Sequence, residues 1–117
     1  MLRTALLAAV LATAGCTAET DDRPLNFSYI HAAILVPNCA TAGCHSSLTR
    51  TAGIDMEDIA TARMAVTAGA IEPLLKGIYQ AGGSYFPRMP PDQPLPDADI
   101  DLIVAWYNLS LTDPGVP

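Results

Sequence analysis

Cys39-Ala40-Thr41-Ala42-Gly43-Cys44-His45 is the stretch on which the reading of this chain turns. Two thiols followed at once by an imidazole form the arrangement that anchors a c-type haem. Each thiol can add across a porphyrin vinyl group to give a thioether. The histidine directly after the second anchor is then held against one face of the iron. The usual spacing is C-x-x-C-H, whereas here four residues separate the cysteines. All four are small, so the longer loop can fold close to a flat macrocycle. Gly43 can also supply a left-handed backbone step just before Cys44.

Two other readings of the same residues stay open at this point. In an oxidising compartment Cys39 and Cys44 can close a disulfide around a short loop. Alternatively, Cys39, Cys44, His45 and a fourth group such as His31 can bind zinc. Convergence on one tetrahedral ion is awkward, because the adjacent Cys44 and His45 side chains tend to diverge.

Residues 1–15 read as an export signal of the lipoprotein type. Arg3 supplies the positive start, Ala5 to Ala12 a short apolar run, and small residues lead to Gly15-Cys16. The run is too short to span a membrane as a mature helix. Thr13-Ala14-Gly15-Cys16 resembles the lipobox of bacterial lipoproteins, with Thr13 where that family prefers Leu. The resemblance implies lipidation at Cys16, which accounts for the third cysteine. A cleavage near Ala14 or Ala18 by an ordinary signal peptidase is the alternative. Thr17 follows the cysteine where Asp would favour inner-membrane retention, so the expected destination is the outer membrane, facing the periplasm. An acylated cysteine bearing more than one chain anchors stably. Residues 16–25 are polar and read as a tether, leaving 26–117 as one domain.

A domain of roughly 100 residues buries a limited share of its surface and often needs a staple. Two Phe, four Tyr and one Trp give few large side chains to fill a core, which suits a fold completed by a porphyrin. Twelve Asp and Glu against six Lys and Arg set the net charge at -6. That excludes an electrostatic footprint for nucleic acid and suits docking with a basic redox partner.

Along the chain, Asn26 or Ser28 can cap a first helix. Its apolar positions are Phe27, Ile30, Ala33 and Ile34, and Pro37 is expected to stop it. Residues 46–53 read as loop, with Thr51 or Asp55 opening a short helix through Arg63. A second short helix is expected between Gly69 and Ile78, with Pro73 in its first turn. Gly82, Gly83, Pro87, Pro90, Pro91, Pro94 and Pro96 mark a long irregular segment, which is uncommon without a function. The last helix is the clearest. Asp97 is expected to cap it, Asp99 and Asp101 suit its positive end, and Ile100, Ile103, Val104 and Tyr107 form a stripe flanked by Leu102 and Trp106. Strand signals are nearly absent, so the expected class is all-α. Met56 and Met64 are expected in the core. His31 reads as a helix-surface or core histidine that matters for ligation only if the site is bis-histidine.

Inside the proline-rich segment lies Arg88-Met89-Pro90-Pro91. A thioether sulfur is a soft ligand that suits haem iron and raises its potential. Restricted backbone on both sides can hold that sulfur at a fixed distance. The plainer role for Met89 is to fill a gap in the core.

The order of these features resembles the class I cytochrome c family, and more closely small exported bacterial cytochrome c domains with a widened spacing. Ile34-Leu35-Val36-Pro37-Asn38-Cys39, Gly43-Cys44-His45, Arg88-Met89-Pro90 and Leu95-Pro96-Asp97-Ala98-Asp99-Ile100 with Trp106 carry the resemblance, which covers about Phe27 to Leu111. The four-residue gap departs from the family's usual two. The resemblance implies a cytochrome c-like fold of short helices around one covalent haem c. Cys39 and Cys44 would be its anchors, His45 the proximal and Met89 the distal iron ligand, and the last helix would pack across the first. The expected function is outer-sphere electron transfer by a monohaem carrier in the cell envelope, without enzymatic activity. A peroxidase-like site with Met89 dissociated is an enzymatic alternative. From another class, the alternative is a haem-free lipoprotein in which a Cys39–Cys44 disulfide serves a binding or structural module.

Overall fold

The computed structural model describes residues 20–75, 78–79, 85–86 and 88–117. The expected signal, Cys16 and the start of the tether lie outside the described residues, as do Gly82, Gly83 and Pro87.

The first helical run has three contiguous parts: α1 (Phe27–Ile30), a π-helical turn (His31–Leu35) and α2 (Val36–Cys39). Asn26 caps it by accepting from the Tyr29 N–H at 2.8 Å, as expected of an Asx side chain there. The π turn alters two expectations. It inserts an extra residue per turn, so Leu35 joins Phe27, Ile30 and Ile34 in the core while Ala33 stays exposed. It also lets the helix run through Pro37, which was expected to end it. The Val36 N–H already reaches back five residues to the His31 carbonyl, and the widened turn relieves the clash that a proline ring makes in an α-helix. Asn38 then donates from Nδ2 to the Ile34 carbonyl at 2.8 Å.

A long turn, with a single 3₁₀ turn at Thr51–Gly53, leads to α3 (Ile59–Ala65). Its cap is Asp58, which accepts from the Thr61 N–H at 2.8 Å. Asp55 and Thr51, expected in that role, are both used inside the turn. The buried side of α3 is formed by Ala62 and continues to Val66, so Met56 is buried just ahead of the helix and Met64 is 62% exposed. The core expectation therefore holds for Met56 and fails for Met64, which lies off the buried face. A second π turn (Val66–Ala70) bends at Gly69, whose φ is 108°. It leads to α4 (Glu72–Leu75), where Pro73 occupies the first turn as expected. Ile78–Tyr79 (β1) and Tyr85–Phe86 (β2) form a two-residue antiparallel pair, Ile78 opposite Phe86 and Tyr79 opposite Tyr85.

The last helix, α5 (Asp97–Thr112), begins one residue earlier than expected. Pro96 occupies the cap position in an extended conformation, and Asp97 and Asp99 lie in the first turn. Ile100, Leu102, Ile103 and Trp106 are buried, with Val104 and Tyr107 packed at the edge. Trp106 meets Phe27 at a ring-centroid distance of 4.6 Å. The Arg63 guanidinium lies over both rings, 5.5 Å from Phe27 and 5.2 Å from Trp106. It donates to the Val116 carbonyl, while the Pro117 carbonyl accepts from the Phe27 N–H and from Trp106 Nε1. The chain ends of the described domain are thus fastened over the contact between its first and last helices. Arg23, near the end of the expected tether, is fastened in turn to the start of α5 through Asp99 and the Ala98 carbonyl.

The all-α expectation holds in coarse form. The described fold is short helices and turns around one core, with a minimal β pair in the long irregular segment.

Candidate functional site

The cysteine–histidine stretch hangs between the end of α2 and the turn that precedes α3. Gly43 has a φ of 85° and open space where a Cβ would stand, so it makes the left-handed step anticipated for the longer spacing. The Cys44 N–H bonds to the Thr41 carbonyl and the His45 N–H to the Cys39 carbonyl, both at 3.0 Å. The Thr51 N–H returns to the Cys44 carbonyl at 3.0 Å, and the Met56 N–H to the His45 carbonyl at 2.7 Å. His45 is therefore gripped by backbone bonds from both sides.

Its ring is oriented as well. His45 Nδ1 lies 2.8 Å from the Thr51 carbonyl oxygen. A carbonyl only accepts, so Nδ1 carries a proton, and in the neutral ring Nε2 presents its lone pair. A backbone carbonyl on one ring nitrogen is what fixes the tautomer of a metal-ligating histidine and raises its basicity. His31 differs: its Nε2 is 3.0 Å from the Met56 carbonyl, and its ring stacks on Phe27 at 6.3 Å. His31 thus rivets the first helical run to the far end of the same turn, with its Nε2 already committed. That is the structural role favoured for it on sequence grounds.

Cys39 and Cys44 are both free thiols in different surroundings. Cys44 is exposed, and Cys39 is buried in the core cluster at 8% exposure. Burial, reinforced by the nearby charge of Cys44, pushes the Cys39 thiol up to about 11, as expected when the charged form is desolvated.

Met89 is half-buried against the core cluster. Its N–H donates to the Pro73 carbonyl at 2.8 Å, and Arg88 Nε donates to the adjacent Leu74 carbonyl at 2.8 Å. Two successive residues thus clasp the ligand-loop candidate to α4, and the Arg88 guanidinium also stands 4.0 Å from Asp97 at the start of α5. The structure brings Cys39, Cys44 and His45 into one turn, and fixes Met89 on a separate segment held by α4 and α5.

Among the described residues, no group of three or more His, Cys, Asp or Glu side chains converges to hold a metal ion. The zinc set of Cys39, Cys44, His45 and His31 is therefore not assembled there. The residues present suit a haem by their chemistry: an imidazole with Nε2 free, a thioether on a fastened loop, and two free thiols just ahead of the imidazole in the chain. Cys44 is accessible as it stands, whereas Cys39 becomes reachable only when its core neighbours part.

Three residues that the sequence marked only as helix starts or core belong to this site. Thr51 contributes through its main chain, Met56 links the two histidines through its own N–H and carbonyl, and Asp55 is a buried carboxylate in the turn.

No protein-family model matches the chain, and no curated protein or solved structure is significantly similar to it.

Proposed function

We propose that this protein is a monohaem c-type electron carrier of the cell envelope, with a cytochrome c-like fold. The observation that carries the reading is the His45 ring, whose Nδ1–H is spent on the Thr51 carbonyl so that Nε2 is free to ligate. In this reading Cys39 and Cys44 would hold the haem c covalently, and His45 and Met89 would supply the ligands of its iron. The bound group supplies one-electron chemistry. The chain's own residues orient the imidazole, supply the sulfur and exclude water. A haem iron held by both His45 and Met89 would have no free position for oxygen or peroxide chemistry, which favours a carrier over an enzyme in this reading.

The protein is placed on the periplasmic side of the envelope, held at the outer membrane by lipid on Cys16. Its net charge of -6 suits a basic redox partner protein and not a nucleic acid. The test is an absorption spectrum of protein matured in a periplasm equipped for c-type haem attachment. A sharp reduced α-band is expected. A colourless protein with a Cys39–Cys44 disulfide would overturn the reading in favour of a haem-free binding or structural module.

A further inference from the structure

Thr51, whose carbonyl orients His45, is bracketed by two non-glycine residues in left-handed conformation: Arg50 at φ 47° and Ala52 at φ 57°. Gly53 follows at φ 75°. Left-handed backbone is unfavourable for residues bearing a Cβ. Two such residues around one carbonyl persist only where the surroundings over-determine them, and such strain gathers at functional sites. Main-chain bonds hold part of the turn, the Thr51 N–H donating to the Cys44 carbonyl at 3.0 Å and the Ile54 N–H to the Thr51 carbonyl at 3.2 Å, and one side chain ties it to the segments on either side. Asp55 Oδ1 accepts from the Ser47 hydroxyl at 3.1 Å, the Glu57 N–H at 3.0 Å and the Asp58 N–H at 3.2 Å. Its Oδ2 faces Arg50 Nε at 3.4 Å. One buried carboxylate thus links both ends of the turn, Ser47 and Arg50 on one side and Glu57 and Asp58 on the other. The aligned Thr51 carbonyl lies between them. The Arg50 N–H to the Ser46 carbonyl at 2.9 Å and the Gly53 N–H to the Arg50 carbonyl at 2.7 Å complete the turn.

We propose that Asp55 is a positioning residue for His45: by holding the Arg50–Gly53 turn left-handed it aims the Thr51 carbonyl at Nδ1 and so decides which ring nitrogen is free. For its consequence at the iron this rests on the reading of His45 as a ligand; for the tautomer it rests on geometry alone. A proximal imidazole that donates firmly through Nδ1 is a stronger electron donor, which favours ferric iron. Loosening the turn weakens that donation.

The test has two independent readouts on Asp55→Ala, Asp55→Asn and Arg50→Gln. Arg50 is largely exposed, so its variant keeps the question answerable if the Asp55 variants fold poorly. The first readout is the nitrogen-15 spectrum of the His45 ring in the haem-free chain at a pH where the ring is neutral. The wild type is expected to show Nδ1 protonated and Nε2 bare, and the variants a mixture with the Nε2–H tautomer. Ile103→Val, a mild core change away from the turn, is expected to leave the tautomer as in wild type, which separates positioning from lost stability. The second is the midpoint potential of haem-loaded protein, expected to rise in the same variants. A wild-type tautomer in every folded variant at the turn overturns the proposal. Failure of the wild type to take up haem refutes the functional reading while leaving the tautomer result to stand or fall by itself.

Discussion

The rings of Phe27 and Trp106 meet at a centroid distance of 4.6 Å, and this contact joins the start of the first helical run to the middle of α5. Both rings are almost wholly buried. The Arg63 guanidinium covers them, and the Pro117 carbonyl satisfies the indole N–H. The contact is therefore apolar at its centre and hydrogen-bonded at its rim, and it ties together the two ends of the domain.

Trp106→Ala should cost about 3–5 kcal/mol, the usual range for emptying a buried aromatic site. Against a total stability of about 5–15 kcal/mol for small domains, that is close to unfolding. Met64→Ala, on the exposed side of α3, should stay within about 0.5 kcal/mol. Urea denaturation followed by tryptophan-independent circular dichroism compares the two. Equal losses would show that the buried face has been misassigned.

Acid should unpick the turn that carries His45. Burial alone would raise the Asp55 carboxyl, but the Asp58 N–H, the Ser47 hydroxyl, the Glu57 N–H and the Arg50 charge together hold it below its ordinary value of 3.8. Asp58, bonded to the Thr61 N–H and hydroxyl, is lowered too. A folded-state value below the unfolded one contributes stability that is present above pH 3.8 and lost as pH falls through the folded value. Stability should accordingly fall with acidification below about pH 4, and less steeply in Asp55→Asn. An acid limb of equal slope in the variant would remove Asp55 from this role.

The two cysteines should react in a fixed order in the haem-free chain. Only the thiolate is nucleophilic, and Cys39 is both buried and pushed up to about 11. Iodoacetamide at pH 8 should label Cys44 first and Cys39 only on unfolding. Peptide mapping at early times reads this directly, and preferential labelling of Cys39 would contradict its burial.

Much of the frame is legible in the residues, because it rests on side-chain chemistry with a local reach. Asn26 is a cap by composition, α5 announces itself through its acidic start and its apolar spacing, and Gly43 occupies the left-handed step its place in the motif demanded. What was not legible depends on the main chain. A π turn has no composition of its own, so the period of 3.6 put Ala33 on the buried face, and proline's ring and missing N–H were expected to end the helix at Pro37. Asp55 was expected to open α3 and Asp58 was not, because nothing in the residues shows that the turn spends the first on holding the loop and leaves the second to begin the helix. The Thr51 carbonyl could not be read from the Thr51 side chain, and neither could the use of Met56 as the link between His31 and His45. Cys39 was readable as half of a pair but not as the buried half.

Met89 should behave as a ligand and not as packing. Its loop is clasped to Pro73 and Leu74 through two successive residues, which holds the thioether on a fixed segment. Oxidised, haem-loaded wild type should show a weak sulfur-to-iron band in the far red. Met89→Ala should lose it, fall in potential because a thioether favours ferrous iron, and begin to bind imidazole or carbon monoxide. An unchanged spectrum in the variant would reduce Met89 to a core filler.

The most direct test of the central claim is whether the haem is covalent, and whether it depends on the cysteine pair that precedes His45. Wild type and a Cys39→Ala, Cys44→Ala double variant are matured side by side, extracted with acid–acetone and stained for haem after denaturing electrophoresis. The account predicts a stained band at the mass of the chain for the wild type and none for the double variant. A wild-type chain without retained haem under these conditions, or retention that survives loss of both thiols, would contradict it.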